Sequence, residues 1–140
     1  MAGGKRILHV ARRALIIGVA ISSFAIPSFA QETGFPFDSE LFLDAQPMSG
    51  SKRIPNMDVA ANGSIVVEMW CNRVEGQLVV AGDTITAVLG QPTDRSCRPA
   101  ETQRDADLLA ALNAVTNWRR EADALVLVGP TTLRFKEATH

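Results

Sequence analysis

Short runs in which apolar and polar residues alternate, each closed off by turn residues, constrain this chain more than any other feature. Ile65, Val67 and Met69 alternate with Val66, Glu68 and Trp70 behind an Asn62-Gly63 turn signal, the period of a strand with one buried face. Gln77–Ala81 and Thr84–Leu89 flank Gly82-Asp83, a spacing that predicts a hairpin with a two-residue turn. These three runs are expected to form an antiparallel meander. Ahead of them, Glu40–Gln46 carries Leu41 and Leu43 and stops at Pro47, predicting a first strand, with Met48–Asn56 as a connection. Trp118–Glu121, Ala124–Val128 and Thr132–Lys136 follow late in the chain, with reversals at Ala122-Asp123 and Gly129-Pro130. In the last run Leu133 and Phe135 alternate with Arg134 and Lys136, so one face is buried and the other wet.

One helix is expected, over Glu101–Val115, where Gly and Pro are absent and Leu108, Leu109, Leu112 and Val115 recur at helical intervals. Glu101, Asp105 and Asp107 fall in its first half, where negative charge suits the helix dipole. Asp105 and Asp107 stand two apart and are expected to point to different sides, into solvent. That many strands in so few residues expose edges unless the sheet curls on itself. The expected fold is α+β: a small antiparallel, strongly curved β-sheet or partial barrel of about seven strands with one covering helix.

The first thirty residues have a different character. Lys5, Arg6, Arg12 and Arg13 precede an uncharged apolar run from Ala14 to Ile26, and Ser28-Phe29-Ala30 places small residues ahead of Gln31. This is the layout of a secretory signal, so residues 1–30 are expected to be cleaved after Ala30. The run is shorter than the ~20 residues that a spanning helix needs, so no membrane span is expected once the signal is gone. Gly34 and Pro36 with no periodic pattern make 31–38 a flexible leader, and 39–140 a single domain. A periplasmic or secreted location follows.

Loss of the signal lowers the basic count from 14 to 10 against 15 acidic residues, a net charge opposite to what a nucleic-acid partner requires. The two cysteines, Cys71 and Cys97, both lie in the exported part, and an oxidising compartment favours a disulfide between them. The rival reading, a redox-active or metal-binding pair, lacks a Cys-x-x-Cys spacing and a nearby histidine.

Trp70-Cys71-Asn72-Arg73-Val74-Glu75-Gly76 resembles the central signature of the META domain family, that of the heat-shock protein HslJ, with Trp70 where the family usually has glycine. Thr93-Asp94-Arg95-Ser96-Cys97 resembles its second signature, and Asp107–Leu112 its helix. Leu125–Gly129 and Leu133-Arg134-Phe135 resemble its final strands. The resemblance spans roughly Gly63 to Lys136 and implies a bacterial envelope protein with an α+β, barrel-like fold. It implies no catalytic residues; family members have been associated with heat shock, motility and antibiotic tolerance.

The residues themselves argue in the same direction. Beyond the signal the sole histidine is His140, the last residue, a poor position for a general base. The expectation is therefore a non-catalytic exported META-domain protein with a stabilising or stress-related role at the cell envelope, needing no cofactor or metal, and monomeric. The alternative is a periplasmic binding module for a small apolar ligand or an envelope protein, including inhibition of a wall hydrolase. Asn72 and Arg73, at the tightest part of the signature, and Trp118, followed by Arg119 and Arg120, are the candidate recognition residues. For Asn72 the stronger expectation is bonding to nearby backbone. Trp70 is expected in the core, and Arg119 and Arg120 on opposite faces of a strand.

Overall fold

The computed structural model describes residues 1, 3, 4 and 34–138. The expected signal and its cleavage point, residues 31–33 of the leader, and His140 lie outside the described residues. Among the described residues, no helix is long and apolar enough to cross a membrane.

The chain runs through β1 (Ser39–Leu43), β2 (Asn56–Val59), β3 (Ser64–Glu68), β4 (Arg73–Ala81) and β5 (Thr84–Leu89), then α1 (Pro99–Asn113), then β6 (Asn117–Glu121), β7 (Ala124–Val128) and β8 (Leu133–Glu137). Each strand pairs antiparallel with its sequence neighbour, and β1 pairs with β8 to close a barrel. The predicted meander is β3–β4–β5, and Ala81 pairs with Thr84 across the two-residue turn. Gly63 closes the β2–β3 turn at φ +82°, where a side chain would place its Cβ 2.7 Å from the Leu78 carbonyl oxygen, so only glycine fits.

The expectation of about seven strands and a partial barrel is close, and among the described residues it is corrected to eight strands in a closed one. The additional strand, β2, has four residues of which only Met57 and Val59 are apolar and buried, and Pro55 directly before it reads as connection. Closure is thinnest between β5 and β6, which share a single residue pair, Thr84 with Asn117. The helix packs against β5 beside this seam. The first strand ends at Leu43 rather than Gln46, and β4 begins at Arg73 rather than Gln77.

Inward-pointing residues from all parts of the barrel form one core, with Leu41, Met57, Val67, Leu112, Leu127 and Phe135 fully buried. Strand β7 is buried on both faces, because outward Val126 lies between its cross-strand neighbours Arg119 and Arg134. Both arginines turn their guanidinium groups to Glu121, each 2.7 Å from one of its carboxylate oxygens, so their apolar stems lie over Val126. The hydrogen bond from Arg119, aided by Arg134, holds the Glu121 carboxyl below its ordinary pKa.

The helix starts on Pro99, whose missing N–H costs nothing in a first turn. Arg98 at the N-cap offers no side-chain acceptor; instead Glu101 reaches back to its backbone N–H at 3.1 Å and its guanidinium at 2.7 Å. That bond with Arg98 keeps the Glu101 carboxyl below its ordinary pKa. The helix ends at Asn113, two residues before the predicted Val115, which is buried in the loop that follows.

Within the described part of the expected leader, Gly34, Phe37 and Asp38 are exposed. Phe35 and Pro36 are buried, and Phe35 meets Trp118 edge-on with ring centroids 5.2 Å apart.

Candidate functional site

The turn between β3 and β4, the long loop before the helix, and the helix itself meet at one end of the barrel. Cys71 in the turn and Cys97 in the loop form a disulfide with Cα atoms 6.0 Å apart. Around that bond the polar groups are organised by two side chains, Asp105 and Asn72.

Asp105 is only 3% exposed, the one buried charged residue among those described. Its Oδ1 accepts the backbone N–H of Trp70 at 2.9 Å and of Cys71 at 3.3 Å, and its Oδ2 accepts that of Asn72 at 2.7 Å. Three consecutive amides thus converge on one carboxylate, an arrangement that commonly receives a bound anion and is here filled by the protein's own side chain. The expectation that Asp105 faces solvent is corrected. It precedes Leu108 by three and Leu112 by seven residues, which places it on the helix face turned to the barrel, and the carboxylate is buried because donors wait for it there. Asp107 is exposed as expected and accepts a hydrogen bond from Gln103.

Asn72 ties the turn to the loop. Its Oδ1 accepts from Thr93 Oγ1 at 3.0 Å and from the Arg95 backbone N–H at 2.9 Å, while Nδ2 donates to Cys97 Sγ at 3.4 Å. Thr93 Oγ1 also accepts the Arg73 backbone N–H at 2.9 Å, and Arg95 Nη1 donates to the Cys71 carbonyl at 3.3 Å. The two signature segments noted in the sequence, 70–76 and 93–97, are therefore halves of one interlocked structure. Arg73 itself turns to Glu68 and Glu75 at the surface.

Trp70 lies beneath this knot, 7% exposed, with the Arg104 guanidinium 5.4 Å from its ring centroid. Its indole N–H is buried without a hydrogen-bond partner. The third candidate residue, Trp118, is not part of this cluster. Its indole N–H donates to the Gly82 carbonyl at 2.8 Å, which puts it at the far end of β4 from Arg73.

The outer face of β1–β3 carries a shallow groove lined by Asp38, Glu40, Asp58 and Ser64. Glu40 and Asp58 are direct cross-strand partners. Partial burial, then the charges of Glu40 and Glu68, push the Asp58 carboxyl above its ordinary pKa. Among the described residues no three His, Cys, Asp or Glu side chains are grouped to hold a metal.

The family model of the META domain matches residues 38–140. Two proteins with structures determined by NMR share the fold. One, from Burkholderia xenovorans, has a TM-score of 0.60 at 20% identity, covering 89% of this chain and 100% of its own. The other has a TM-score of 0.56 at 22% identity, covering 71% of this chain and 88% of its own. No curated protein matches the sequence.

Proposed function

This chain belongs to the META domain family, and on that premise we propose that it is a non-catalytic exported protein that acts by its stability at the cell envelope. The observation that carries this reading is how the signature residues are used. Both oxygens of Asp105 and both polar atoms of Asn72 bond to the chain's own turn and loop, which leaves them shaping a cross-linked turn and not facing a substrate. The disulfide suits an oxidising compartment, and the signal-like first thirty residues supply the route there.

Three measurements test the reading. Intact mass of the protein recovered from the periplasm is expected to correspond to a chain starting at Gln31 that takes up two alkyl groups only after reduction. The purified protein is expected to give no turnover on ester, peptide, glycoside or phosphate substrates. Turnover that a single substitution abolishes sinks the proposal. Asn72→Ala is expected to lower the melting temperature; unchanged melting together with a lost envelope phenotype would assign Asn72 to recognition instead.

A further inference from the structure

The charged residues of the barrel are divided between its two rims. Of the ten lysines and arginines after residue 30, six stand in ion pairs: Arg73, Arg98, Arg119, Arg120, Arg134 and Lys136. Among the described residues the other four, Lys52, Arg53, Arg95 and Arg104, enter no ion pair, and all four are exposed.

These four share the rim that carries the disulfide. Lys52 and Arg53 lie in the β1–β2 loop, which Arg98 Nη1 ties to the helix start by donating to the Ser49 carbonyl at 3.2 Å. Arg53 is near enough to the helix start that its charge, after the bonds from Arg98, helps to lower the pKa of Glu101. Arg95 Nη1 donates to the Cys71 carbonyl at 3.3 Å, and the Arg104 guanidinium stands 5.4 Å from the Trp70 ring centroid. A carbonyl and an aromatic face are neutral partners: they fix the two guanidinium groups and leave their charge uncompensated. Most carboxylates on this rim are engaged, Asp105 with three amides, Glu101 with Arg98, and Asp44 with Arg134 and Lys136. Asp94 and, further along the helix, Asp107 are exposed. The opposite rim has the opposite sign. Its turns carry Asp83 and Asp123, Asp38 leads into β1 on the same side, and no lysine or arginine occurs in these reversals.

Net charge alone, 10 basic against 15 acidic residues after the signal, would repel an anion. Charge separated along the barrel acts differently, because a flat anionic surface meets the basic rim while the acidic rim points away. A long flexible polyanion has no such separation and would run past both. We propose that the rim formed by Lys52, Arg53, Arg95 and Arg104 around the Cys71–Cys97 bond is a docking surface for a membrane rich in anionic phospholipid, with headgroup phosphates facing the four cations. The inference rests on the envelope reading above and gives it a contact surface. Each basic side chain near such a membrane strengthens partitioning roughly fivefold, so four of them give a reversible, salt-sensitive attachment.

The test uses the chain from Gln31 onward, which holds the whole barrel, and sedimentation with vesicles of phosphatidylcholine and phosphatidylglycerol in equal parts or of phosphatidylcholine alone. The protein is expected to bind the mixed vesicles at low salt, to ignore the neutral ones, and to be released as ionic strength rises. Lys52→Gln combined with Arg53→Gln is expected to weaken binding roughly 25-fold with unchanged circular dichroism. Asp83→Asn combined with Asp123→Asn changes the net charge by as much on the other rim, and is expected to alter binding less than about twofold, because the surrounding salt screens that distance. No preference for the anionic vesicles overturns the proposal, as does full binding by the Lys52 and Arg53 variant. A gain in the Asp83 and Asp123 variant that matches the loss in the other overturns it too, since net charge and not the rim would then be the cause. Release by inorganic phosphate at matched ionic strength would assign the rim to a free anion and overturn the membrane reading. Export is read separately by intact mass, so an exported protein that ignores anionic vesicles loses the docking surface alone.

Discussion

Asp105 in the helix accepts the backbone N–H of Asn72 at 2.7 Å across 33 residues of sequence, and through that bond the helix fixes the turn that carries the disulfide. Because the same carboxylate also serves Trp70 and Cys71, its removal strands three amides at once. Asp105→Asn keeps the size but replaces one acceptor oxygen by a donor that faces N–H groups. Hydrogen bonds to a charged group are worth about 1.5–3 kcal/mol, and unsatisfied buried donors add to their loss. The variant is expected to be destabilised by about 3 kcal/mol, a fall of roughly 10–20 °C in Tm for a domain of this size, measured by thermal unfolding at pH 7.

Reduction of Cys71–Cys97 removes the covalent half of the same junction. The bond closes a span of 26 residues, which in the chain-entropy model corresponds to about 3–4 kcal/mol. The barrel is expected to survive reduction, because Asn72 and Asp105 still hold the turn to the loop and helix. Chemical unfolding with and without reductant should show a lower midpoint with an unchanged native circular dichroism. Asp105→Asn and Cys71→Ser should also be non-additive, since both act on one turn; simple additivity would mean the carboxylate and the disulfide act independently.

The β-hairpins were legible in the sequence because their turns announce themselves: Gly82-Asp83 and Ala122-Asp123 sit where the chain reverses between β4 and β5 and between β6 and β7. The strand β2 was hidden because Met57 and Val59 are too few to show a period and Pro55 reads as a break. The burial of Asp105 runs against the ordinary behaviour of charge on a helix, which is solvated unless partners wait for it. Its spacing to Leu108 and Leu112 contained that information, but the three amides that make burial tolerable come from a segment more than thirty residues away and have no local mark. The burial of Phe35 has no local mark either, since its partner Trp118 lies in β6 and a lone aromatic near Gly34 and Pro36 has no pattern around it.

Trp70 offers a test of packing against polarity. Its indole N–H is buried without a partner, and an unsatisfied buried donor costs about 1–3 kcal/mol. Trp70→Phe removes that donor and also some packed volume, two effects of opposite sign. The net change is expected to stay within about 1 kcal/mol, whereas Trp70→Ala should cost about 3–5 kcal/mol. Denaturant midpoints of the two variants decide it; a large loss in Trp70→Phe would mean that the N–H is bonded in solution.

Asp58 sits directly opposite Glu40 and near Glu68 on the barrel's outer face, and burial together with those two charges raises its pKa. A carboxyl with a raised folded-state pKa favours folding below its unfolded pKa, and that contribution is lost as pH rises through the folded value. Ionised Asp58 therefore weakens the fold at neutral pH. Asp58→Asn keeps the shape and removes the repulsion, and is expected to stabilise by about 0.5 kcal/mol at pH 7, within the range for like charges facing across strands. The gain should shrink as pH falls through the carboxylate range, where the wild-type group is neutral as well, and should diminish in high salt. Glu101 and Glu121, whose pKa values are lowered by Arg98 and by Arg119, have the opposite sign and lose their contribution on acidification. Unfolding of wild type and variant between pH 3 and pH 7 separates the two effects, because only the difference between the curves reports on Asp58. A variant less stable than the wild type at pH 7 would show that the Asp58 carboxylate is an asset to the fold.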